Sequence, residues 1–386
     1  MANYLTRDLI IHLIIFQMVV LLIILSNKRI TRRARRHLSP PVFPPVSILV
    51  PARNEERNIA GCVQSLLAQD YPSFEVLVLD DQSSDQTRFI LYQIAASQPG
   101  LRVLEGEPLS GDRVGKNWAC SQLAQQAGGE LFFFTDADTR HHPQTLRTMV
   151  TALVGEQADL LTGFPRQEVH TWGERLLVPF FTWAFYCFCP LALAYRLQLP
   201  ALSMAVGQMM LFRRQAYQSI GGHGSVSSAI AEDLVLARQI KASGLRWRVT
   251  YAADLISCRM YRDSREAMQG FIKNLFAAFD FRVLPFVFVF AWLAVMFLKP
   301  ILVLGMVVLG QAPGTQVTYL LICIGLSVLL WLAAYLEMGV PFSLAFLYPL
   351  SILAIDAAAF LSLWKCFTGT LSWKGRKITQ KRWRWL

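Results

Sequence analysis

With 386 residues, the chain has room for one catalytic domain of ordinary size and several membrane segments. Hydrophobic residues make up 54% of it and charged residues only 16%, a composition that is unusual for a purely soluble protein. Basic residues exceed acidic ones by 11, but the excess lies in two clusters without acids, at 28–36 and 365–384, each beside an apolar run. This distribution indicates contact with anionic lipid and no nucleic acid as a partner.

Residues 1–27 are predicted to be an N-terminal transmembrane anchor. Residues 9–25 are apolar except for His12 and Gln17, and as a helix they just span a hydrocarbon core of ~30 Å. A signal peptide is the alternative, but the charges follow the apolar run and no small-residue cleavage site is present. The basic juxtamembrane linker at 28–45 predicts an integral protein of the cell (inner) membrane with a cytoplasmic catalytic domain.

Residues 46–282 are predicted to form this catalytic domain. Short apolar runs predict strands at 46–50, 74–79, 101–104 and 131–134, and helical spacing predicts helices at 58–67 and 118–127. The alternation of strand and helix predicts an α/β fold with a mainly parallel sheet. Ligands of such sheets bind beyond the carboxyl ends of the strands, where the polar motifs of this sequence lie. The seven cysteines are scattered without metal-binding spacing, which is typical of reduced thiols.

An apolar segment near 176–206 resembles a transmembrane helix by hydropathy. If it crossed, the acidic motifs at 136–138 and 232–233 would lie on opposite sides of the membrane. Pro179 and Pro190 also interrupt it. We therefore predict an interfacial or re-entrant segment.

Residues 283–364 are predicted to be C-terminal membrane helices, followed by a basic tail at 365–386. Two or three apolar stretches in this region would span, and the first is interrupted at Lys299 and Pro300. Three full crossings would place the basic tail outside, against the positive-inside rule, which leaves one re-entrant stretch as the alternative. Asp356 within the last stretch marks either an acceptor contact or a helix-packing hydrogen bond.

Two strand ends carry acidic motifs, PARNEE at 51–56 and DDQSSDQT at 80–87. Turns of this kind present carboxylates and backbone groups to a nucleotide. Asp80 and Asp81 are either helix caps or ligand contacts. Two adjacent acids at a strand end repel each other, which favours a bound hydroxyl, imide or metal for the pair.

The strand at 131–134 runs into TDADT, which places Asp136 and Asp138 on one side of a turn. A departing diphosphate needs a cation to offset its charge, and Mg²⁺ or Mn²⁺ prefers oxygen ligands of this kind. Lys116, at the start of a predicted helix, either meets a phosphate or is an exposed surface lysine. Gly207 allows the backbone to approach a ligand closely.

Glu232 and Asp233 begin an amphipathic helix, where carboxylates commonly act as caps. Alternatively, one of the two carboxylates takes a proton from a substrate hydroxyl as a general base. His223 in the loop GGHGS contacts the acceptor or diphosphate, or has no role.

Over residues 44–280 the motifs PARNEE, LDDQSSDQT, GKNWA, FTDADT, GQMMLFRR, GGH and AEDL resemble inverting glycosyltransferase family 2. The run from Arg259 to Phe279 is similar to its membrane-bound branch of carotenoid- and hopanoid-associated enzymes. The resemblance implies a Rossmann-like nucleotide-sugar-binding fold of the A type, with a UDP-sugar donor. It also implies roles for residues at the matching positions. Asp136 and Asp138 would bind the metal and the diphosphate, and Asp233 would be the general base with Glu232 beside it. The residues that would bind the nucleoside are Pro51, Arg53, Glu55, Asp80 and Asp81.

The sequence departs from polymerising members of the family, which carry a Q-x-x-R-W motif after the base. The corresponding region here contains Gln269 and Lys273 without that motif. This difference argues against a processive synthase and leaves open what binds the diphosphate on that side. Arg262 and Lys273 are candidates for diphosphate or acceptor contacts, and surface or lipid contacts are the alternative.

The sequence thus predicts transfer of a sugar from a nucleotide-sugar donor to a membrane lipid-like acceptor, by a metal-dependent inverting displacement. A polyprenyl-phosphate glycosyltransferase and a polysaccharide synthase are alternative enzymes. A nucleotide-sugar-binding membrane scaffold is the alternative without catalysis, and the acidic motifs disfavour it.

Overall fold

The computed structural model describes residues 2–109, 111, 113–312, 316–373, 376–377 and 383–386. The chain divides into two compact units. The sheet unit contains Arg29–Glu168 and Leu191–Met260, and the helical unit contains Met1–Lys28, Val169–Pro190 and Tyr261–Leu386.

The described strands are β1 (Val46–Ala52), β2 (Phe74–Asp80), β3 (Leu101–Glu105), β4 (Leu131–Phe134), β5 (Thr139–His141), β6 (Leu160–Phe164), β7 (Arg166–Gln167), β8 (Met210–Arg213), β9 (Trp247–Tyr251), β10 (Ile256–Cys258), β11 (Ser372–Trp373) and β12 (Arg376–Lys377). The described α-helices are α1 (Ala2–Arg33), α2 (Ile59–Leu67), α3 (Thr87–Ser97), α4 (Gly115–Gln126), α5 (Thr145–Gly155), α6 (Trp172–Leu177), α7 (Pro179–Phe188), α8 (Leu191–Ala194), α9 (Arg214–Ser219), α10 (Gly222–Ser225), α11 (Glu232–Ala242), α12 (Ser264–Leu275), α13 (Val283–Phe297), α14 (Lys299–Val308), α15 (Val317–Met338) and α16 (Tyr348–Phe367). Short 3₁₀ helices lie at Pro200–Leu202, Ala277–Phe279 and Phe342–Leu347.

The sheet unit is built on a mixed sheet whose order, over the described residues, is β3-β2-β1-β4-β8-β6-β9. The first four strands pair in parallel, and β8 runs antiparallel to β4 and β6. Almost every residue of β1 and β4 is buried, because helices cover both faces of a parallel sheet. The predicted α/β fold is confirmed, although β8 makes the sheet mixed.

The chain reverses its winding direction between β1 and β4, because β2 and β3 extend the sheet on one side of β1 while β4 pairs on the other. Crevices for ligands form at such a switch point, outside the carboxyl ends of the strands. The core of the unit packs β1, β2 and β4 against α2 and α5, with Leu66, Phe133 and Leu146 among its buried members. The fold therefore fixes the loops after β1, β2 and β4 on a rigid base.

Four helical stretches in the described residues are long and apolar enough to cross a membrane: Asp8–Arg33, Val283–Val308, Val317–Met338 and Phe342–Phe367. The second is interrupted at Leu298, since Pro300 lacks the N–H that a continuous helix would use. The fourth combines a 3₁₀ helix with α16. These are the stretches in which the sequence predicts membrane helices.

The segment near 176–206 contains no single long helix. It is divided into α6, α7 and α8, with breaks at Val178 and Cys189 next to the two prolines. The longest piece has ten residues, about 15 Å, half of a ~30 Å hydrocarbon core. Its location at the membrane interface and the predicted domain boundaries stay predictions.

The first basic cluster is partly engaged within the sheet unit. The guanidinium of Arg32 lies 4.4 Å from the ring centroid of Tyr251, and Arg35 donates two hydrogen bonds to the carboxylate of Asp254, at 2.5 and 2.7 Å. Arg33 is exposed. The lipid contact predicted for this cluster therefore concerns only part of it and stays a prediction.

Candidate active site

Three elements that are distant in sequence bring charged groups together at the carboxyl edge of the sheet. Lys116, in the first turn of α4, places its Nζ 2.8 Å from Oδ1 of Asp136 and 3.0 Å from Oε1 of Glu232. Asp136 follows β4, and Glu232 begins α11. Burial alone would lower the pKa of Lys116, but the carboxylates of Asp136 and Glu232 hold that pKa well above its ordinary value. Lys116 is therefore a fixed positive charge within the site.

Gly207 lies at the centre of this arrangement. A Cβ on Gly207 would lie 2.6 Å from Nζ of Lys116 and within 3.7 Å of carboxylate oxygens of Asp136 and Glu232. A residue with a side chain here would displace the lysine or fill the space beside it. The close backbone approach predicted for this glycine is thus to the charged cluster.

Asp233 lies next to Glu232 and is positioned by backbone donors. The N–H of Gly207 donates to its Oδ2 at 3.0 Å, and the N–H of Leu234 donates to its Oδ1 at 2.8 Å. Burial, followed by the negative charge of Glu232, raises the pKa of Asp233 to about 7. A carboxylate with this pKa is suited to accept a proton near neutral pH.

Asp138 completes the group, and we name Asp136, Asp138, Glu232 and Asp233 with Lys116 the carboxylate cluster. Burial raises the pKa of Asp138 to about 7, and the charges of Asp136 and Glu55 add to this shift. Its Oδ1 is buried without a hydrogen-bond partner among the described residues. A buried carboxylate oxygen without a partner is costly, which indicates a ligand that completes it.

Mg²⁺ or Mn²⁺ fits this donor set. Such ions are bound in many enzymes by one or two carboxylates together with substrate phosphates, and no full protein cage is needed. The described residues contain no group of three or more His, Cys, Asp or Glu side chains placed to hold a metal by themselves, so oxygens of a bound substrate would have to complete the coordination. Asp136 and Asp138 are the pair that would hold the ion beside a diphosphate.

The loops after β1 and β2, residues 53–58 and 81–87, are joined by hydrogen bonds, and we name them the paired loops. Asn54 receives a hydrogen bond at Oδ1 from the N–H of Ser84, and Arg53 donates to the carbonyl of Asp81 at 2.6 Å. Asp85 accepts the N–H of Glu56 at 3.1 Å. The paired loops therefore form one connected surface at the sheet edge.

The predicted nucleoside contacts lie on or beside the paired loops. Pro51 is in β1 opposite Leu79, Glu55 accepts a hydrogen bond from Asn58, and both Asp80 and Asp81 are almost fully buried. The negative charge of Glu55 also helps to raise the pKa of Asp138, so the paired loops and the carboxylate cluster influence each other. The roles of these residues stay predictions.

Three residues that were predicted to contact the acceptor or the diphosphate are not members of the carboxylate cluster. His223 is fully buried, its Nδ1 lies 2.8 Å from the hydroxyl of Tyr217, and its ring packs on Phe134. It is therefore positioned as a core residue, and burial lowers its pKa to about 3. Arg262 and Lys273 belong to the helical unit, and their contacts with diphosphate or acceptor stay predictions.

Asn117 is a residue whose contribution the sequence did not reveal. It is fully buried, and its amide donates to the carbonyls of Val226 and Ala229, both at 2.8 Å. It thereby ties the helix that carries Lys116 to the loop that leads into Glu232. The motif GKNW drew attention to the lysine alone, because these partner carbonyls are more than 100 residues away.

A second unpredicted group lies beneath the turn at Asp136. The hydroxyl of Thr139 donates to the Asp136 carbonyl at 2.7 Å and lies 2.9 Å from Nε2 of His141. The hydroxyl of Thr135 donates to the carbonyl of Gln208 at 2.8 Å. These buried contacts fix the turn that presents Asp136 and Asp138.

Comparison with known proteins bears on this site. Residues 47–221 match the profile of Glycosyl transferase family 2. Beta-monoglucosyldiacylglycerol synthase of Synechocystis sp. is 37% identical over 111 residues, which are 28% of this chain and 22% of that protein. 4,4'-Diaponeurosporenoate glycosyltransferase of Staphylococcus aureus is 27% identical over 237 residues, 60% of each protein.

Among solved structures, the mannosyltransferase PcManGT of Pyrobaculum calidifontis in complex with GDP-Man and Mn²⁺ superposes with a TM-score of 0.53 at 20% identity. The superposition covers 93% of this chain and 97% of that one, and it supports the A-type glycosyltransferase fold. The aligned regions span 22% and 60% of the two curated relatives.

Proposed function

We propose that this chain, which belongs to glycosyl transferase family 2 through residues 47–221, transfers a sugar from a nucleotide-sugar donor to a hydroxyl of a lipid-like acceptor. The observation that carries the proposal is the carboxylate cluster. Its members come from the turn after β4, from α4 and from α11, and they meet at the edge where α/β sheets bind ligands.

In the proposed reaction, Asp233 accepts the proton of the acceptor hydroxyl as the acceptor oxygen attacks the anomeric carbon. The bond from that carbon to the diphosphate breaks in the same displacement, so the anomeric configuration inverts. The raised pKa of Asp233 supports this role, since a base is most effective when its pKa is close to the working pH. The backbone donors at Gly207 and Leu234 hold its oxygens in place.

Lys116 supports the donor side of the reaction. Its positive charge is kept by Asp136 and Glu232, and it lies where a phosphate oxygen beside Asp136 would be within reach. When bound at Asp136 and Asp138, Mg²⁺ or Mn²⁺ would offset the negative charge of the departing diphosphate. The paired loops would hold the nucleoside, and we propose UDP as the nucleotide on the resemblance of PARNEE and LDDQSSDQT to family 2.

A lipid-like acceptor is favoured by two observations. The chain has four helical stretches apolar enough to span a membrane, and two similar proteins are named for products or substrates that are a diacylglycerol lipid and a carotenoid acid. The region after Asp233 lacks the Q-x-x-R-W motif, which favours a single transfer over a processive synthase. An inner-membrane location with a cytoplasmic sheet unit is part of the proposal.

The test uses the purified full chain in detergent with Mn²⁺, a panel of UDP-sugars and a lipid extract of the source cells. We expect one UDP-sugar to give UDP together with a lipid whose mass has increased by one sugar residue. Products with many added sugars would support a polysaccharide synthase. Nucleotide-sugar binding without turnover on any extract would support the scaffold alternative and contradict the proposal.

A further inference from the structure

The direction of α15 relative to α1 is set by two contacts within the helical unit. The side-chain amide of Gln17 donates to the hydroxyl of Ser327 at 2.8 Å, and Nζ of Lys28 lies 2.6 Å from Oε1 of Glu337. The two contacts are separated by 11 residues on α1 and 10 on α15. The helices are therefore parallel and in register, so α15 ends on the side of the bilayer where Lys28 lies.

This direction determines where the chain lies before α13. Because α15 ends beside Lys28, it must begin on the far side. Among the described residues between Lys28 and Val317, only Val283–Val308 is long and apolar enough to bring the chain there. Residues just before Val283 therefore lie on the side of Lys28.

A second set of contacts connects α12 to the end of α1. The amide of Asn27 donates to the carbonyls of Tyr186 and Cys189 at the end of α7, at 3.1 and 2.8 Å. Within α7, the ring of Phe181 stacks on Phe271 of α12, with centroids 4.7 Å apart. Helix α12 is thus tied through α7 to the end of α1.

The last apolar helix ends next to α12 and the start of α13. The hydroxyl of Ser362 donates to the carbonyl of Ile272 at 2.5 Å and accepts the N–H of Phe276 at 3.2 Å. The chain terminus is there too, since the N–H of Val283 donates to the carbonyl of Arg384 at 2.9 Å.

We infer that the stretch Phe342–Phe367 is re-entrant and does not cross the bilayer. It begins after Glu337 and ends beside Ile272, and both of these points lie on the side of Lys28. Tyr348, its first α-helical residue, stacks on Trp331, whose Cα lies about 9 Å before that of Glu337 along α15. Within the part of the chain that the structure describes, three stretches therefore cross: α1, α13 with α14, and α15.

This arrangement creates an interaction surface for one leaflet. Lys28, Lys365 and Arg384 come to the same side, where anionic lipid headgroups would attract them. Exposed aromatic rings lie at the same end, as expected at a membrane interface: Trp364, Phe367, Trp383 and Trp385. Two C-terminal crossings are consistent with the positive-inside rule, whereas three would not be.

Cysteine labelling tests the inference without depending on sugar transfer. The seven native cysteines are all buried, so an introduced exposed cysteine can be read above a low background. Leu386→Cys is the test position, Leu38→Cys marks the side of Lys28, and Gly310→Cys marks the far side; all three residues are exposed. The full chain is labelled with a membrane-impermeant maleimide in vesicles of each orientation.

We expect Leu386→Cys to react in the same vesicles as Leu38→Cys and at least tenfold more slowly in those that label Gly310→Cys. Labelling of Leu386→Cys together with Gly310→Cys would overturn the inference. If Leu386→Cys is not produced, a protease site appended after Leu386 provides the second readout. Cleavage in the vesicles that label Leu38→Cys supports re-entry, and cleavage in the others contradicts it.

Discussion

The paired loops and the carboxylate cluster lie at the same edge of one sheet, yet the pKa of Asp85 in the loops and the pKa values of Asp138 and Asp233 in the cluster are shifted in opposite directions. In the paired loops, hydrogen bonds from Thr87 and Glu56 outweigh burial and hold the pKa of Asp85 below its ordinary value. In the cluster, burial dominates and raises the pKa of Asp138 and Asp233 to about 7. The paired loops are joined to each other by hydrogen bonds, whereas in the cluster Oδ1 of Asp138 is buried without a hydrogen-bond partner among the described residues.

The difference suggests a division of labour. Loops that are already joined by hydrogen bonds can hold a nucleoside with little rearrangement. A buried carboxylate oxygen without a partner, as at Asp138, has a free-energy cost in the absence of ligand, and the cluster recovers that cost when a cation or a proton binds. Substitutions in the cluster should therefore change the rate of transfer, and those in the paired loops should change donor affinity.

The largest effect is expected for Asp233→Asn, which keeps the shape but removes the proton acceptor. We expect kcat to fall by about 10³-fold, within the range for loss of a general base. Nucleotide affinity, measured by calorimetry, should change less than threefold. Asp254→Asn, which removes an exposed acid of the same unit paired with Arg35, is the control. Turnover retained in Asp233→Asn would refute the assignment.

Lys116→Met should have the second-largest effect, because it leaves Asp136 and Glu232 without their cation. A charge-assisted contact contributes about 1.5–3 kcal/mol, so kcat/KM should fall by roughly 10- to 100-fold. Arg246→Gln, which removes an exposed charge from the same unit, should change kcat/KM less than twofold. Equal losses in both variants would mean that the overall charge of the unit matters and the location does not.

Asp81→Asn tests the proposed role of the paired loops in donor binding. If the paired loops bind the nucleoside equally in the ground and transition states, KM for the donor should rise about tenfold with kcat nearly unchanged. Initial rates over a range of donor concentrations give both constants. A fall in kcat with unchanged KM would show that the two regions do not divide binding and chemistry in this way.

The pH dependence of transfer should report Asp233. Because a base must be deprotonated to act, kcat/KM should rise with pH up to an apparent pKa near 7 and level off above it. Glu232→Gln removes the neighbouring negative charge that helps to raise this pKa, so the rising limb should move to lower pH by about one unit. A limb that stays in place would indicate that another group titrates.

The smallest effect is expected in stability. The pKa of Asp138 is raised from 3.8 to about 7 in the folded state, so its contribution to stability falls as pH rises through that window and is least favourable above pH 7. Asp138→Asn should therefore raise Tm by a few degrees at pH 8 without metal, and by less at pH 4. Mn²⁺ should raise the Tm of the wild type more than that of the variant, and EDTA should reverse this. A larger Mn²⁺ shift in the variant would contradict metal binding at Asp138.

Much of this protein follows from local sequence patterns. The buried strands, the helices between them, the long apolar stretches and the resemblance to family 2 were all predicted. The fold is confirmed, and residues 47–221 match glycosyl transferase family 2. These features depend on hydrophobic periodicity and on motifs at strand ends, which can be read in short windows. The roles of individual site residues stay predictions.

Other properties depend on contacts between distant segments. Nothing near Asn117 in sequence shows that it holds the loop before Glu232, and the motif GGHGS did not show that His223 is buried beneath Phe134. The direction of α15 depends on single pairs such as Gln17 with Ser327, more than 300 residues apart. Sequence alone determined which residues form strands, helices and apolar spans, because those depend on neighbours; tertiary structure decided which charges meet, because desolvation and pairing depend on packing.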